Sequence, residues 1–482
     1  MTDPADLGPR PARGDGPAEP VVYRSARGRL VLLATVLGSA LVFVDGTVVV
    51  IALPHVAEDL GASTADLQWT VNGYGLTLAA FLLLGGTLGD RVGRRRVFLV
   101  GTVWFAVASL ACAVAPGVGW LVAARALQGV GGALLTPGSL ALLQSSFGPD
   151  DRGRAIGVWS GMSGLSGALA PFVGGWIVGV ASWRWVFAIN LPLAAAVLVV
   201  TLRAVPETRD PDAARRLDVV GTALGAVGLA GLTYGFTALG SDPGPAAAAL
   251  AIGVVALVAF VPVEARAAAP VLPPALFRWR PFAGANGATL LVYAALSGTF
   301  FFLVVTLQVV AGYSPLAAGV APLPVTLLLL ALSPTAGSIG TRLGPRLPMT
   351  AGPLVGAVGV ALLAGIGPHA AYVTRVLPGV LLVGLGLAAT VAPLTTTALG
   401  AAPDHLVGAA SGVNNAVARV AGLLAVAVLP VAAGVGDSLT DAATLGPANR
   451  VAMLACAALM AAGGLVSLVT IPSRAADVRP PA

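Results

Sequence analysis

The sequence contains no lysine and only two cysteines among its 482 residues, and charged residues make up 10% of it. A soluble domain usually has about 25% charged residues, so this composition excludes an ordinary soluble protein. The two cysteines lie far apart in apolar segments, which excludes a disulfide framework and a CxxC metal site. The sequence also lacks a G-x-x-x-x-G-K-[ST] motif, which argues against a P-loop that binds ATP.

Hydrophobic residues, in contrast, make up 57% of the chain and form long uninterrupted segments. A helix that crosses a bilayer core of about 30 Å needs about 20 apolar residues. Segments of this kind predict an all-α polytopic membrane protein with fourteen spans. The predicted spans are 30–53, 67–88, 97–115, 119–143, 155–180, 185–203, 218–240, 246–266, 283–311, 316–337, 348–367, 372–397, 407–433 and 449–471.

The 27 arginines are distributed unevenly about these spans. The side that carries both termini has 22 of them, the opposite side has three, and two lie inside spans. Because positively charged loops face the cytoplasm, we expect both termini in the cytoplasm of a multi-pass protein of the bacterial cytoplasmic membrane. Arginines spread over separate short loops also argue against a nucleic-acid partner. Residues 1–29 and 472–482 are polar and predict disordered cytoplasmic tails, without a signal peptide.

The sequence also contains an internal repeat. Gly129 and Gly131 of the fourth span align with Gly384 and Gly386 of the twelfth, at an offset of 255 residues. The first six spans therefore recur as the last six, and two helices are inserted between them. Parallel halves of this kind are typical of transporters, with a substrate path between the halves. The predicted domains are a six-helix bundle over 30–203, the inserted helices over 218–266, and a second six-helix bundle over 283–471.

The segment GGTLGDRVGRRRVFL, Gly85–Leu99, follows the second span. Its glycines allow a tight turn between two helix ends, and its carboxylate lies among arginines in the headgroup zone. The segment resembles motif A of the major facilitator superfamily, which implies a role in conformational switching. The alternative is that its arginines act only as a topology signal. The matching residues are Gly86, Asp90, Arg91, Gly93, Arg94 and Arg95.

Two charged residues lie deep inside spans of the first half. Asp45 is about fifteen residues into the first span, and Arg125 lies in the fourth. An ionisable residue at such a depth is a functional candidate by default. The segment Leu121–Pro137 resembles motif B of the same superfamily, with Arg125 at the matching position. We therefore expect Asp45 to carry protons and Arg125 to act as its coupling partner, while a purely structural role for both residues remains the alternative.

The fifth span contains GMSGLSGALAPFVGG, Gly161–Gly175, which resembles the antiporter motif C, with Ala170 in place of one of its glycines. Close helix packing and a kink are expected there. The segments Val44–Pro54 and Trp183–Pro192 resemble the fourteen-helix drug:proton antiporter branch specifically. The expected packing and kink residues are Gly167, Pro171, Gly174 and Gly175.

The resemblance implies a major facilitator fold with fourteen transmembrane helices in two pseudo-symmetric halves, and proton-coupled export of small amphipathic or hydrophobic compounds. It implies no cofactor besides the proton gradient, and a monomer whose partners are the substrate, the proton and the bilayer. The pocket should be lined by spans 1, 2, 4, 5, 9, 10, 12 and 13. Polar residues in the spans either line the substrate path or make helix contacts. These candidates are Gln68, Asn72, Gln128, Asn286, Gln308, Asn414, Asn415 and Arg419.

Other functions remain open at this point. A transporter of one specific metabolite, in either direction, would show a single substrate and little drug protection. A non-transporting receptor or a membrane enzyme is the more remote alternative. An enzyme would need a nucleophile, a base or a metal cluster, but the three histidines are scattered and no HExxH motif or metal site is predicted. Because the spans of the second half have no acidic residue at their centres, we expect neutral or weakly charged substrates.

Overall fold

In a computed structural model of the protein, the described residues are 21–209, 218–239, 242–267, 270, 272–403, 406–435 and 439–478. Their secondary structure is almost entirely helical. The α-helices are α1 (Ala26–Leu60), α2 (Thr64–Val92), α3 (Arg94–Ala113), α4 (Val118–Ser146), α5 (Pro149–Val180), α6 (Trp185–Ala188), α7 (Asn190–Ala204), α8 (Val219–Ala238), α9 (Pro243–Arg266), α10 (Arg280–Val309), α11 (Pro315–Val320), α12 (Leu323–Leu343), α13 (Arg346–Leu363), α14 (Leu377–Gly400), α15 (Val407–Ala432) and α16 (Ala442–Thr470).

Within the described residues, twelve helical segments are long and apolar enough to cross a membrane. α2 adds a thirteenth if its two arms, which meet at a 49° bend between Leu82 and Leu84, count as one span. The prediction of an all-helical membrane protein is therefore confirmed, but the predicted count of fourteen is not. The two counts differ at α5, in which the apolar segment found among the described residues is Leu169–Val180.

Local sequence signals mark the ends of several helices. Gly61 ends α1 in the left-handed conformation, with φ of 61°. Ser63 then begins α2 with a capping box, in which the Asp66 carboxylate accepts from the Ser63 N–H at 3.0 Å. Asp441 caps α16, and hydrogen bonds from Thr444 and the backbone hold the pKa of Asp441 below its usual range. These caps satisfy backbone donors that a helix end would otherwise leave unpaired.

The aligned glycines make equivalent contacts in the two halves, α1–α7 and α10–α16. Gly129 packs on α2 and Gly384 packs on α12, whereas Gly131 packs on α3 and Gly386 packs on α13. A Cβ atom at Gly131 would lie 2.8 Å from the backbone nitrogen of Phe105, so a larger residue does not fit. α4 and α14 thus occupy corresponding places in their halves, each between two helices that cross it closely.

The two helices between the halves, α8 and α9, pack mainly on each other. Gly231 of α8 and Gly253 of α9 allow their backbones to meet directly. α8 also contacts α2 of the first half and α15 of the second half, and Tyr234 stacks against Trp69 with ring centroids 6.2 Å apart. The inserted pair therefore lies against the seam between the halves.

The end of the first tail is ordered, from residue 21 onwards, although disorder was predicted over 1–29. α1 begins at Ala26. The Val21 N–H donates to a backbone carbonyl at the end of α4 at 2.8 Å, and the Tyr23 N–H donates to the Asp151 carboxylate at 2.9 Å. Because these bonds hold the chain against α4 and α5, disorder does not extend through the last residues of this segment.

The second tail, 472–482, is also partly ordered. Its residue Val478 is buried in an apolar cluster that includes Ala401. Burial of an apolar side chain stabilises the contact, so this part of the tail is held against the end of α14. Residues 1–20 and 479–482 of the two predicted tails lie outside the described residues.

Candidate functional site

Asp45 of α1 and Arg125 of α4 form an ion pair inside the first half. Both residues are 1% exposed, and a guanidinium Nη of Arg125 donates to an Asp45 oxygen. The guanidinium also donates to Gln128 Oε1 at 2.6 Å and to the Thr70 carbonyl at 3.0 Å. A buried ion pair persists when such additional hydrogen bonds satisfy its remaining groups. The two charged residues singled out in the sequence are therefore brought together.

Two side-chain amides complete the surroundings of Asp45. Gln128 Nε2 donates to Asp45 Oδ1 at 2.8 Å, and Asn190 Nδ2 donates to the same oxygen at 2.9 Å. The Ser109 hydroxyl accepts from these two amides at 2.8 and 3.3 Å, which fixes their orientation. Each group that bonds to the carboxylate is a donor, so this arrangement suits the ionised form of Asp45.

Aromatic rings enclose the guanidinium of Arg125. Its central carbon lies 4.3 Å from the ring centroid of Tyr74 and 5.7 Å from that of Phe187. The Tyr74 hydroxyl donates to the Val42 carbonyl at 3.1 Å. A cation over an aromatic face is attracted by the ring quadrupole, so these rings help to hold Arg125 without adding a second negative charge.

A cavity of about 1420 Å³ lies between the two halves. Its wall comes mainly from α1, α2, α4 and α5 of the first half and from α10, α12, α14 and α15 of the second half, as expected from the sequence, and Asp218 and Thr222 at the start of the inserted α8 also belong to it. Arg125 and Tyr74 belong to this wall, so the Asp45 site adjoins the cavity. Gln144 and Leu399 extend the wall to the ends of α4 and α14, on the predicted cytoplasmic side.

The halves contact each other at the opposite end of the cavity. There α5 crosses α11: the Pro315 carbonyl packs on Gly175, and the Pro171 carbonyl packs on Gly319. Gln308 Nε2 of α10 also donates to a backbone carbonyl of α1 at 3.2 Å. Glycine at these positions lets the backbones approach closely. The cavity is therefore closed at this end and extends to the predicted cytoplasmic side.

Two of the packing residues expected in the fifth span contribute to the contact between the halves. Pro171 and Gly175 form the crossing with α11, and Pro171 also lines the cavity. Gly174 faces Val48 of α1, which joins two helices of the same half. Gly167 belongs to α5, but its surroundings lie outside what the structure describes.

The segment that resembles motif A is held within the first half. Asp90 accepts from Arg94 Nε at 2.8 Å, and the Arg95 N–H donates to Glu207 at 3.1 Å. Gly93 adopts φ of 129°, which favours glycine, and the Glu207 carboxylate lies beside it. Glu207 thus ties the turn between α2 and α3 to the chain that follows α7. The other two predicted switching residues are Arg91, which is exposed, and Gly86, which lines the cavity.

Half of the predicted substrate-path residues lie on the cavity wall. These are Asn72, Asn414, Asn415 and Arg419. The other four are not among the lining residues, because their amides are used in helix contacts. Gln68 donates to the Val426 carbonyl at 2.9 Å, and Asn286 accepts from Asn414 at 3.2 Å. Gln128 belongs to the Asp45 site and Gln308 to the closed end.

Four residues in these contacts were not predicted from the sequence. Asn190 is fully buried beside Asp45, and its position as a polar residue within an apolar span could have indicated it. Ser109 carries no such signal, since serine fits many helix contacts. Glu207 and Gly319 lie far along the chain from their partners, and nothing local to them predicts those contacts.

The chain matches the family model described as Major Facilitator Superfamily over residues 35–426. It is 40% identical over 408 residues to the puromycin resistance protein pur8 of Streptomyces alboniger, covering 83% of this chain and 80% of that protein. It is 38% identical over 417 residues to the tetracenomycin C resistance and export protein of Streptomyces glaucescens, covering 85% and 77%.

The fold is similar to that of a bacterial homolog of the human lysosomal transporter Spinster, in an inward-facing and occupied conformation. The TM-score is 0.69 at 15% sequence identity, covering 95% of this chain and 100% of that chain. The family match extends over most of the chain, and the two relatives share well over 30% of their residues with it. The protein therefore belongs to the Major Facilitator Superfamily and is a membrane transporter of small molecules, not an enzyme.

Proposed function

We propose that the protein exports small amphipathic or hydrophobic compounds, such as antibiotics, in exchange for protons. The names of the two relatives, which refer to resistance and export, support this function. The mainly apolar cavity between the halves supports the substrate class. The proposal includes no cofactor besides the proton gradient, and it treats a monomer as the working unit.

The proposed topology has fourteen spans, with α2 and α5 each crossing the membrane once. Both termini then lie in the cytoplasm, as the distribution of arginines favours. In this topology the cavity faces the cytoplasm and the crossing of α5 with α11 closes the outer side. The chain would lie in the bacterial cytoplasmic membrane.

The Asp45 site carries the proposal of proton coupling. Its carboxylate is buried beside the cavity and surrounded by donors that suit the ionised form, and in the proposed topology this cavity opens towards the cytoplasm. This is the state in which an antiporter has released its proton inside. Arg125 cannot deprotonate in the protein, so it supplies a constant positive charge. A change in the distance between the two residues would then alter the proton affinity of the carboxylate.

Alternating access would reverse the two ends of the cavity. The contacts of α5 with α11 would separate, and the helix ends on the cytoplasmic side would approach each other. Asp90 would then reach a helix end or an arginine of the second half and stabilise the outward-open state. Asp45, now open to the outside, would bind a proton as the substrate leaves.

The proton gradient supplies enough energy for this exchange. A charge that moves down a potential of about 100 mV releases roughly 2.3 kcal/mol. At about 150 mV, one proton therefore supports a substrate gradient of roughly a few hundredfold. Asp90 and Asp218 also line the cavity, but Asp45 is the acid that is fully buried beside it among the described residues, so we assign the proton to Asp45.

The second candidate function is the export of one compound. The names of the two relatives favour this function, because each refers to a single compound, puromycin or tetracenomycin C. A screen of chemically different antibiotics in a host that lacks its own pumps distinguishes the two functions. Protection against several unrelated compounds supports broad export, and protection against one supports the dedicated exporter.

The coupling proposal is tested with purified protein in proteoliposomes that carry a pH gradient. Puromycin and tetracenomycin C serve as test compounds. The Asp45→Asn variant should lose uphill transport and retain downhill exchange, because an amide cannot bind and release the proton. Glu58→Gln is the matched control, since Glu58 lies on the same helix but is exposed. Uphill transport by Asp45→Asn at the wild-type rate would show that Asp45 does not carry the proton.

A further inference from the structure

The charges on the cavity wall are not all balanced. The charged residues that line the cavity are Asp90, Arg125, Asp218 and Arg419. The first is paired with Arg94 and the second with Asp45, while the third caps α8. Arg419 makes no ion pair and no hydrogen bond with any residue that the structure describes. The cavity therefore has a cation whose charge is available to a ligand.

Arg419 lies on α15, partly buried, at the seam with α2. Asp45, Arg125 and Arg419 all lie in the surroundings of Tyr74. The carboxylate of Asp45 is already engaged by its own donors and does not pair with Arg419. An arginine inside the membrane is unfavourable unless it is paired or hydrated. Its position on the cavity wall thus leaves the pairing to a molecule in the cavity.

A second donor on the same wall also lacks an acceptor. Asn72 of α2 is 1% exposed, lines the cavity, and has an amide nitrogen without a hydrogen-bond partner among the described residues. A buried donor that stays unpaired is destabilising by about 1–3 kcal/mol. Asn72 and Arg419 lie on the two helices that form the seam, α2 and α15, and both residues line the cavity.

We propose that Arg419 binds an oxygen anion of the exported compound, such as a carboxylate or an acidic phenol or enol, and that Asn72 donates to the same polar end. A guanidinium matches a carboxylate through two parallel hydrogen bonds, which favours an oxygen anion over other groups. The aromatic residues Phe43, Trp159, Phe300 and Phe301 line the rest of the cavity and would hold an apolar ring system. The substrate class is thus an amphipathic acid with one anionic group.

This inference rests on the proposed function, because it takes the cavity to be the transport site. It refines the expectation of neutral or weakly charged substrates, which was based on the lack of acidic residues in the second half. Without acidic residues, the second half does not attract a cationic substrate, and the positive charge of Arg419 repels one. A neutral compound loses the charged hydrogen bonds, so an acid should bind best among compounds of equal shape.

Binding of three matched probes tests the charge preference. Anthracene carboxylate, anthracene carboxamide and aminomethyl anthracene have the same ring and carry a negative, no, and a positive charge. Their affinities for the purified full chain are measured by fluorescence titration. A neutral detergent without anionic lipid is used, so that no lipid anion competes with the probe for the site. Hydrogen bonds to a charged group predict roughly tenfold to a hundredfold tighter binding of the carboxylate than of the carboxamide.

Variants assign the preference to Arg419. Arg419→Gln should reduce carboxylate binding to the level of the carboxamide and leave carboxamide binding unchanged. Arg419→Lys keeps the positive charge and should retain most of the preference for the carboxylate. This variant keeps the test decisive if Arg419→Gln folds poorly. Arg450→Gln is the matched control, because Arg450 is exposed on α16 and lies outside the cavity wall.

Equal or tighter binding of the carboxamide or the amine by the wild-type protein would overturn the inference. An unchanged preference in a folded Arg419→Gln variant would overturn it as well. If the wild-type protein prefers the carboxylate through Arg419 but moves none of the test compounds, including the carboxylate, against a gradient, the inference is supported and the proton-coupled function is contradicted. The two proposals thus fail through different measurements.

Discussion

Replacing Gly175 by alanine should shift the transporter away from the conformation described above. A Cβ atom at this position would lie 2.6 Å from the Pro315 carbonyl oxygen and 2.7 Å from the Leu316 Cα. Both are backbone atoms of α11, so no side-chain rotation relieves the overlap. α5 and α11 must move apart, and this movement is the one that opens the closed end of the cavity.

The size of the effect follows from the cost of overpacking. One extra methyl group in a well-packed contact costs about 1–3 kcal/mol. Because the crossing exists only where the two halves close the cavity, this cost falls on the conformation described above and not on one in which the two helices are separated. A difference of this size changes the ratio of two conformations by roughly 5- to 150-fold.

Labelling of a cavity residue measures the shift. Thr395 of α14 is exposed on the cavity wall, so a Thr395→Cys variant should react with a membrane-impermeant maleimide applied from the cytoplasmic side. The native cysteines, Cys112 and Cys456, are fully buried and should stay unlabelled. In inverted vesicles, adding Gly175→Ala should slow the labelling of the cysteine by up to the same factor.

The chain offers a matched control one helical turn further along α5. A Cβ atom at Gly179 would meet no atom within 4 Å, so Gly179→Ala adds the same methyl group and the same helix propensity without the overlap. It should leave the labelling rate unchanged. Equal labelling of the Gly175→Ala and Gly179→Ala variants would refute the idea that this crossing closes the cavity.

Three further substitutions test the other parts of the mechanism. Arg125→Ala leaves Asp45 buried without its cation, which costs about 3–5 kcal/mol, so uphill efflux should be lost although the protein reaches the membrane; full efflux by this variant would exclude Arg125 from coupling. Asn190→Leu removes a donor to the Asp45 carboxylate, worth about 1.5–3 kcal/mol, and should weaken uphill efflux in the same proteoliposome assay. Uphill efflux at the wild-type rate would mean that this amide does not support the site. Asp90→Asn should slow turnover while substrate affinity stays within about twofold, as measured by efflux and binding in parallel, and unchanged turnover would remove its role in switching.

The sequence by itself determined the membrane class, the approximate spans and the two charged residues of the site. Apolar segments of about 20 residues are decided by local composition, since each helix must satisfy its own backbone in the membrane. Asp45 and Arg125 were identified for the same local reason, because a charge is conspicuous in an apolar span.

The tertiary structure decided which side chains meet. A span does not reveal its rotation about its own axis, so Gln68 and Gln308, which look like substrate-path residues, turned out to bond to backbone carbonyls. Asn190 reaches Asp45 from 145 positions away along the chain, whereas Arg419, also a charge within an apolar span, makes no ion pair with the described residues. Such outcomes depend on the relative placement of whole helices, which is fixed by contacts between the halves and not by any local pattern of residues.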